Sequence, residues 1–348
     1  MKVTFVAAPL TARSGVYRSA RELVAEGRAQ GHDWSLYLGV SSQASGQKPP
    51  DDPSWIVESP MEPGGVQGVV ALSRALRAVP VVAECDIVVS LIPQTDMALA
   101  LGRKSWVSYA RGLPWPAQGE ASASKALVWR SLERLALRRA KAVWCTTEVL
   151  KHEMGLRQPV RIVPPGLDLV QRTWDGRGDR GTAVWAARYN SDKNPQLFLD
   201  ALAPLPALKG VMYGSGELES SITQKAPANV RVGGWVDPTS LWDDALVYVG
   251  TSHREAFGRS AVEAAMNGIP VVLADSFGCA SLLVTDEELR DLLVLPREDV
   301  ARWTNVLRLL ASDEDLRVKV SDHLVANAAK LTVAGSARSV RDALPRQK

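Results

Sequence analysis

Residues 254–272, REAFGRSAVEAAMNGIPVV, hold two glutamates eight positions apart, a Phe-Gly pair between them and a following apolar run. The preceding LVYVGTS predicts a strand, HREAFG a loop, and RSAVEAAMNG a helix that ends at Gly268. Glu255 is therefore expected in the loop and Glu263 in the helix. The Ser-x-x-Glu spacing predicts a capping box, with Ser260 as the N-cap and Glu263 at N3.

This strand-loop-helix arrangement recurs along the whole chain. Short apolar runs alternate with helical patterns, from KVTFVAA at residues 2–8 to IPVVLAD at residues 269–275, which predicts parallel sheets wrapped by helices. QRTWDGRGDRG, residues 171–181, is charged and glycine-rich without periodicity, as is typical of a linker. The sequence therefore predicts an α/β protein with two doubly wound, Rossmann-like domains.

The predicted boundaries follow from the position of that break. They are an N-terminal domain at 1–172, a linker at 173–181, a C-terminal domain at 182–325, and a C-terminal helix at 326–348. Whether this last helix packs back on the first domain stays open. Ligands of doubly wound domains bind outside the carboxyl ends of the strands, so the cleft between two such domains is the expected site.

The composition is that of a soluble globular protein, with 46% apolar and 23% charged residues among 348. No apolar run approaches the ~20 residues of a membrane-spanning helix. The N-terminal MKVTFVAAPL lacks the features of a signal peptide, so it is interpreted as a buried strand and the protein as cytoplasmic. Cys85, Cys145 and Cys279 are far apart in apolar contexts, which predicts reduced core thiols.

At this point the opening stretch resembles the E-x7-E signature of the retaining glycosyltransferases of family four, which have the two-domain GT-B fold. The family pattern is roughly Glu, any residue, Phe-Gly, four residues, Glu-Ala and Gly-x-Pro-Val, and EAFGRSAVEAAMNGIPVV meets each position. The likeness covers most of the chain and is strong from 182 to 275. It implies that the first domain binds an acceptor and the second a nucleotide sugar, with uridine diphosphate as the expected nucleotide.

The resemblance assigns roles to the two glutamates. It implies that Glu255 binds hydroxyls of the donor sugar and that Glu263 accepts hydrogen bonds from the ribose. The intervening loop and helix start would bring backbone N–H groups up to the donor. The substrate-binding residues implied there are Phe257, Gly258, Arg259 and Ser260.

Other segments extend the likeness. WAARYNSDKNPQLFLDAL resembles the opening of the family's second domain, which implies that Arg188 and Lys193 hold the donor diphosphate and stabilise charge developing on it. RVGGWVDPTSLW resembles the segment that flanks the nucleobase, near Trp235 and Val236. RSGVYRSARELVAEGRAQGH resembles the family's glycine loop, which puts Gly15 opposite the diphosphate.

Three positions depart from the family pattern. Pro165 replaces the usual Asn, and DSFGCASLL replaces a Gly-Gly turn, with residues 276–280 expected to contact the donor. Arg111 stands where a His usually lies near the sugar's hydroxymethyl group. Arg111 either faces the donor or acceptor, or packs on Trp115. Because a pentose lacks the hydroxymethyl group, a further hypothesis is a pentose donor.

Charge is divided unevenly between the two halves. Residues 1–172 carry 21 Lys and Arg against 15 Asp and Glu, a net of +6, whereas residues 173–348 carry 20 against 23, a net of −3. In the first half KALVWRSLERLALRRAKAVW places four cations at helical spacing: Arg130, Arg134, Arg138 and Lys141. Two interpretations stay open. The face is either solvated, with Leu132 and Leu135 covering the core, or attracted to an anionic acceptor such as lipid headgroups or nucleic acid, with peripheral membrane localisation.

The resemblance implies a transferase that uses neither metal nor cofactor, since in the family a phosphate oxygen of the leaving group takes the acceptor's proton. The only Asp-x-Asp, residues 313–315, is predicted to complement a helix dipole. The predicted function is retaining transfer of a hexose or pentose from a nucleoside-diphosphate sugar to a hydroxyl. Two alternatives stay open: a transferase acting on modified bases in DNA, and a catalytically silent sugar-nucleotide-binding protein. The oligomeric state is not defined.

Overall fold

The computed structural model describes residues 1–13, 15–112, 122–178, 180–234, 236 and 240–346. The chain divides into two compact units: residues 1–166 with 333–348, and residues 167–332. Each unit is built on its own parallel sheet. These two doubly wound sheets confirm the predicted α/β architecture.

The first unit has a seven-stranded sheet. Its elements are β1 (Val3–Ala12), α1 (Val16–Ala29), β2 (Trp34–Ser45), β3 (Ile56–Pro60), α2 (Gly65–Ala78), α3 (Pro80–Ala83), β4 (Ile87–Ser90), α4 (Pro93–Ala100), β5 (Trp106–Ala110), α5 (Ala123–Leu137), β6 (Ala142–Cys145), α6 (Glu148–Met154) and β7 (Val160–Ile162). The strand order is β3-β2-β1-β4-β5-β6-β7, and each neighbouring pair is parallel.

The first helix follows directly from its sequence. Tyr17, Ala20, Leu23 and Val24 recur at helical spacing and are buried against the sheet. The helix ends before Gly31, which has φ 85° and so takes a conformation that other residues rarely adopt. The helical pattern and the glycine that follows it therefore account for the extent of α1.

The second strand runs further than the sequence pattern predicted. Residues 41–54 are rich in Pro, Gly and Ser, a composition typical of a loop, but β2 continues to Ser45 because β1 extends alongside it and pairs Ala12 with Ser45. The main-chain N–H of Arg13 then donates to the Ser45 carbonyl at 2.8 Å. Pairing between strands therefore overrides a loop-like composition here.

The second unit has a six-stranded sheet. Its elements are β8 (Thr182–Ala186), α7 (Pro195–Leu202), β9 (Lys209–Tyr213), α8 (Glu219–Lys225), β10 (Val230–Gly234), β11 (Ala245–Gly250), α9 (Arg259–Met266), β12 (Val271–Ala274), α10 (Ala280–Leu283), α11 (Glu287–Leu293), β13 (Val294–Leu295), α12 (Val300–Ser312) and α13 (Glu314–Ala328). The strand order is β10-β9-β8-β11-β12-β13, and each neighbouring pair is parallel. Every residue of β11 and β12 is buried, as expected for parallel strands covered on both faces.

The chain then returns to the first unit with α14 (Val333–Ala343). Ala337, Val340 and Ala343 join the core of that unit. The Arg161 side chain donates to the Asp342 carbonyl at 2.9 Å, and the two residues belong to the same unit. The structure therefore divides the chain at 166/167 and 332/333, whereas the sequence placed the breaks at 172, 181 and 325.

The stretch predicted as a linker, 173–181, packs within the second unit over its described residues. Trp174 is buried in that core, and the N–H groups of Thr173 and Trp174 donate to the Asn267 carbonyl at 3.2 and 3.1 Å. The local composition gave no sign of these long-range contacts, which anchor the stretch.

Cys85, Cys145 and Cys279 are free and buried, which confirms the prediction of reduced core thiols. Of the helices in the part of the chain that the structure describes, none combines the length and the apolar content needed to cross a bilayer.

Candidate active site

The candidate residues of the second unit gather where its strand order reverses. β8 and β11 are neighbours, while β9 and β10 lie on the far side of β8. Connections that leave in opposite directions open a crevice outside the carboxyl ends of the strands, where doubly wound domains bind ligands. Arg188 and Lys193 follow β8 and Glu255 follows β11, so the topology brings all three to this edge.

Lys193 and Glu255 form an ion pair across this crevice. Lys193 Nζ lies 2.6 Å from Glu255 Oε2, and the side chains are 16% and 24% exposed. Solute can therefore reach both groups. Partly exposed ion pairs contribute little to stability, so the arrangement is better suited to ligand binding than to holding the fold. Arg188, which precedes Lys193 in the segment after β8, is exposed.

The turn that presents Lys193 is encoded locally by NSDKNP. The Asn190 side chain accepts a hydrogen bond from the Lys193 N–H at 3.2 Å, and residues 191–193 form a single 3₁₀ turn. Asn194 has φ 46°, in the left-handed region that Asn tolerates. Pro195 then begins α7, where no N–H donor is needed.

Thr251, which the sequence analysis did not single out, joins the loops after β8 and β11. Its hydroxyl donates to the Lys193 carbonyl and accepts from the Trp185 indole N–H, each at 2.9 Å. The His253 N–H donates to the Asp192 carbonyl at 2.7 Å. These bonds fix the main chain of Lys193 relative to the loop that carries Glu255. The only signal in the sequence is a Thr at the end of an apolar strand.

The capping box predicted for the next helix is wrong. Gly258, not Ser260, is the N-cap of α9, and no side chain caps this end. Gly258 has φ 99°, which starts the helix at Arg259, two residues earlier than a Ser260 cap would. Ser260 instead lies in the first turn of α9. Glu263 lies in the helix as predicted, with Oε1 3.9 Å from Arg259 Nε.

Residues 276–279 lie against the Glu255 loop. The N–H of Gly278 donates to the Glu255 carbonyl at 2.9 Å, and that of Cys279 donates to the Phe257 carbonyl at 2.7 Å. Ser276 Oγ donates to the Ser252 carbonyl at 2.5 Å. The Phe257 ring is buried in the core, so only the main chain of Phe257 can serve a ligand.

Tyr248 is a second residue that the sequence analysis missed. Burial raises the pKa of its phenol well above the ordinary value, and the charges of Glu255, Cys279 and Glu263 raise it further. The phenol therefore stays neutral beneath the two carboxylates. Tyrosine in a buried strand is common, so nothing in the sequence marked it.

The Gly-x-Gly turn after β9 packs against the turn after β8. Gly214 has φ 136° and Gly216 φ 159°, and a Cβ at Gly216 would lie 2.5 Å from the Tyr189 carbonyl oxygen. The Tyr189 N–H donates to the Ser215 carbonyl at 3.0 Å, and the Leu218 N–H donates to the Tyr189 carbonyl at 2.9 Å. Glycines let the two turns meet beside Arg188.

In the first unit, Gly15 lies at the N-cap of α1 with φ 50°, and an added Cβ would meet nothing within 4 Å. Its conformation, rather than a close neighbour, therefore favours glycine. The carboxylate of Glu58 lies in the same unit: Arg13 Nη2 lies 2.9 Å from Oε1, and the Tyr17 hydroxyl donates to Oε2 at 2.9 Å. The sequence analysis did not foresee this cluster at the start of α1.

Arg111 follows β5, and its guanidinium lies over the Tyr109 ring at 5.1 Å from the centroid. The Tyr109 hydroxyl donates to the Val163 carbonyl at 2.8 Å, so the ring is firmly placed. The predicted alternative partner, Trp115, lies outside the described residues. Val236 is half-buried after β10, and Trp235 also lies outside the described residues.

The acidic trio near the C-terminus begins a helix, as predicted. Asp313 is the N-cap of α13, and its side chain accepts from the Leu316 N–H at 2.9 Å. Glu314 and Asp315 lie in the first turn, where negative charge complements the helix dipole. Over the described ranges, no group of three or more His, Cys, Asp or Glu side chains is placed to hold a metal ion.

Comparison with known proteins agrees with this architecture. Residues 14–166 match the family model described as "Glycosyl transferase 4-like domain", and residues 173–330 match "Glycosyl transferases group 1". The fold and both matches define a glycosyltransferase of the GT-B class. More particularly, the chain is a GT-B glycosyltransferase that resembles family four.

Individual relatives are more distant. The chain is 27% identical over 223 residues to a D-inositol 3-phosphate glycosyltransferase of Jonesia denitrificans, a match covering 53% of this chain and 52% of that protein. The chain thus spans about half the length of this curated relative. Sucrose-phosphate synthase of Thermosynechococcus elongatus has TM-score 0.78 at 15% identity, covering 98% and 97% of the two chains. Anabaena HepE, solved in complex with UDP and glucose, has TM-score 0.74 at 15% identity, covering 98% of each chain.

Proposed function

We propose that the chain transfers a hexose or pentose from a nucleoside-diphosphate sugar to a hydroxyl acceptor, with retention of anomeric configuration and without a metal ion. The observation that carries this proposal is the Lys193–Glu255 pair, 2.6 Å apart at the switch point of the second sheet. A cation and a carboxylate side by side suit a donor with an anionic end and a hydroxyl-rich end.

In this proposal the cationic side chains bind the diphosphate of the donor, and the carboxylates bind its hydroxyl groups. Arg188 and Lys193 bind the diphosphate, and the partial positive charge at the start of α9 favours the same group. As the bond to the sugar breaks, negative charge grows on the leaving phosphate, and these cations stabilise it. Glu255 accepts hydrogen bonds from sugar hydroxyls, and Glu263 accepts from the ribose hydroxyls.

The proposed transfer needs no protein nucleophile. The acceptor oxygen attacks the anomeric carbon on the face from which the diphosphate leaves, so the new C–O bond replaces the old one with retention. The bond between the anomeric carbon and the phosphate oxygen breaks, and its electron pair goes to that oxygen. The acceptor's proton passes to a phosphate oxygen of the leaving group, which balances the reaction.

The names of the similar proteins guide the choice of substrates. HepE was solved with UDP and glucose, so UDP-sugars come first among donors. The Jonesia relative is named for D-inositol 3-phosphate, which makes that compound a first acceptor to test. UDP-glucose and UDP-xylose together test whether Arg111, in place of the usual His, accompanies a preference for pentose.

The test is release of nucleoside diphosphate from UDP-, GDP-, ADP- and dTDP-sugars, with and without D-inositol 3-phosphate, and with a chelator present. We expect turnover of one donor, and a loss of about 100-fold in Glu255→Gln, because the variant removes a charged partner of the sugar and of Lys193. Glu287→Gln, on the exposed start of α11, is the matched control and keeps wild-type turnover.

Anomeric NMR of the product checks retention, and an inverted product would refute that part of the proposal. Turnover that ceases with the chelator would refute metal independence. Thermal stabilisation by a donor without any turnover would favour the binding-protein alternative instead. Equal turnover by Glu255→Gln and wild type would refute the assignment of the donor site to Glu255.

A further inference from the structure

α5 turns a row of large apolar side chains to solvent. Leu127 is 65% exposed, Leu135 59%, Val128 54% and Leu132 38%. These four residues are here called the α5 face. The interpretation in which Leu132 and Leu135 cover the core is therefore wrong. The helix buries its opposite side, with Ala136 and Leu137 inside.

The α5 face continues into a groove on the same unit. Leu132 and Leu135 line a depression of ≈ 220 Å³ together with Val70 of α2 and Leu101 after α4. Val70 is 38% exposed and Leu101 53%. Single exposed leucines are ordinary, but several large apolar side chains exposed on one helix and along the groove beside it indicate an interaction surface.

Cations flank this apolar surface. Arg139 lines the groove itself. Arg134, Arg138 and Arg157 line a neighbouring depression of ≈ 380 Å³. Arg138, Arg139 and Arg157 are exposed, and among the described residues no acidic side chain pairs with any of the three. Arg134 has a different task, since its Nη2 donates to the Met154 carbonyl at 3.3 Å at the end of α6.

We propose that the α5 face docks this unit onto the surface of an anionic lipid bilayer. The exposed leucines enter the boundary between headgroups and acyl chains, and Arg138, Arg139 and Arg157 contact lipid phosphates. Long arginine side chains reach back to the headgroups while their stems cover apolar surface. A helix with leucines on one arc and arginines at its border is the arrangement that lies in this interface.

Other occupants fit the same surface less well. A second copy of the chain would cover the leucines but would bring more arginines and no counter-charge. Nucleic acid would neutralise the arginines but would leave the leucines in contact with a polar backbone. An anionic bilayer supplies both phases at once, and it accounts for the apolar and the cationic residues together.

The test is flotation of the full chain with vesicles of phosphatidylcholine alone or mixed with phosphatidylglycerol in equal parts. We expect binding to the anionic vesicles, weakened by salt, and little binding to phosphatidylcholine. L127Q/L135Q should weaken the partition constant at least about tenfold, since each leucine loses its apolar burial. R138Q/R157Q should weaken it about 30-fold through the loss of two cations near the surface.

The matched control is R308Q/L309Q on α12, which changes one exposed Arg and the 41%-exposed Leu309 and should bind like wild type. Wild-type partitioning by L127Q/L135Q, or equal binding to both vesicle types, would overturn the proposal. So would a concentration-dependent dimer of the wild type, abolished in L127Q/L135Q, without vesicle binding. Retardation of duplex DNA that depends on the arginines but not on the leucines would equally overturn it. Donor turnover does not enter this assay, so its outcome is independent of the proposed function.

Discussion

At the scale of single residues, Gly258 carries two separate constraints. Its φ of 99° is unfavourable for any residue with a side chain. A Cβ there would also lie 2.7 Å from Phe277 Cδ1 and 3.1 Å from Cys279 Sγ. Gly258 is therefore favoured by its packing as well as by its backbone conformation.

Gly258→Ala should lower the free energy of unfolding of the second unit by about 2–4 kcal/mol, combining backbone strain with overpacking. Gly178→Ala is the matched control. Gly178 has φ 77°, but nothing lies within 4 Å of its Cβ position, so that variant should show backbone strain alone. Urea denaturation measures both. Equal destabilisation by the two substitutions would show that the Phe277 ring can move away from an added methyl group without a measurable loss of stability.

The candidate site was predicted from the sequence only in part, for reasons visible at this scale. Lys193 and Glu255, which the structure brings together as an ion pair, were singled out because each belongs to a spaced sequence pattern. Thr251 and Tyr248 were missed because their contributions depend on neighbours distant in sequence, which no local pattern records. The Ser260 cap was wrongly predicted because a Ser-x-x-Glu match takes no account of the space that Phe277 occupies.

At the scale of elements, α4 and α5 enclose two carboxyls in the first unit. Asp96 and Glu133 are each only 3% exposed. Ser108 Oγ of β5 donates to Asp96 Oδ2 at 2.9 Å. Burial raises the pKa of Asp96 from 3.8 to about 7. Burial also raises that of Glu133 from 4.5 to about 9, with a further contribution from the charge of Asp96.

A pKa raised on folding means that the native state binds the proton more tightly than the unfolded chain. The resulting stabilisation is fully present below pH 3.8 and is lost as pH rises to about 7 for Asp96. The unfolding temperature of the wild-type first unit should therefore fall as the pH rises from 3.8 to about 7. Asp96→Asn should remove the part of this fall that comes from Asp96. Calorimetry across pH tests this, with exposed Glu84→Gln as the control. A profile parallel to wild type would contradict the expectation.

The last helix, α14, offers a second prediction at this scale. Val340 is fully buried in the core of the first unit. Val340→Ala should cost about 1–3 kcal/mol of that unit's unfolding free energy through lost apolar burial and a residual cavity. Arg338→Ala, on the exposed side of the same helix, should change it by less than about 0.5 kcal/mol. Chemical denaturation compares them, and equal effects would mean that α14 contributes little to this core.

The elements were predictable to the extent that their signals are local. The strand patterns around β11 and β12 are continuous apolar runs, and α1 has a clear helical period with a glycine stop. The end of β2 and the fate of 173–181 depend on pairing with β1 and on the contacts of Trp174. Those contacts join residues far apart in sequence, so composition alone misassigned both stretches.

At the scale of the whole molecule, the two units differ in whether they are formed by one segment of the chain or by two. The second unit is one continuous segment, 167–332, whereas the first combines 1–166 with 333–348. The core of the second unit draws its buried residues from positions 167–331 alone. A continuous segment with its own core is expected to fold independently.

A fragment of residues 167–332 should therefore unfold cooperatively on its own. If the proposed donor site is correct, UDP at 100 times its Kd should stabilise the fragment by about 2.7 kcal/mol, because it binds only the native state. Residues 1–166 should be less stable alone than when a short flexible linker joins them to 333–348, since Ala337, Val340 and Ala343 then complete the core. Calorimetry of the three fragments measures these differences. An unfolded 167–332 fragment would show that the second unit depends on the first for its stability. A folded fragment that UDP fails to stabilise, when UDP does stabilise the full chain, would instead assign part of the donor site to residues outside 167–332.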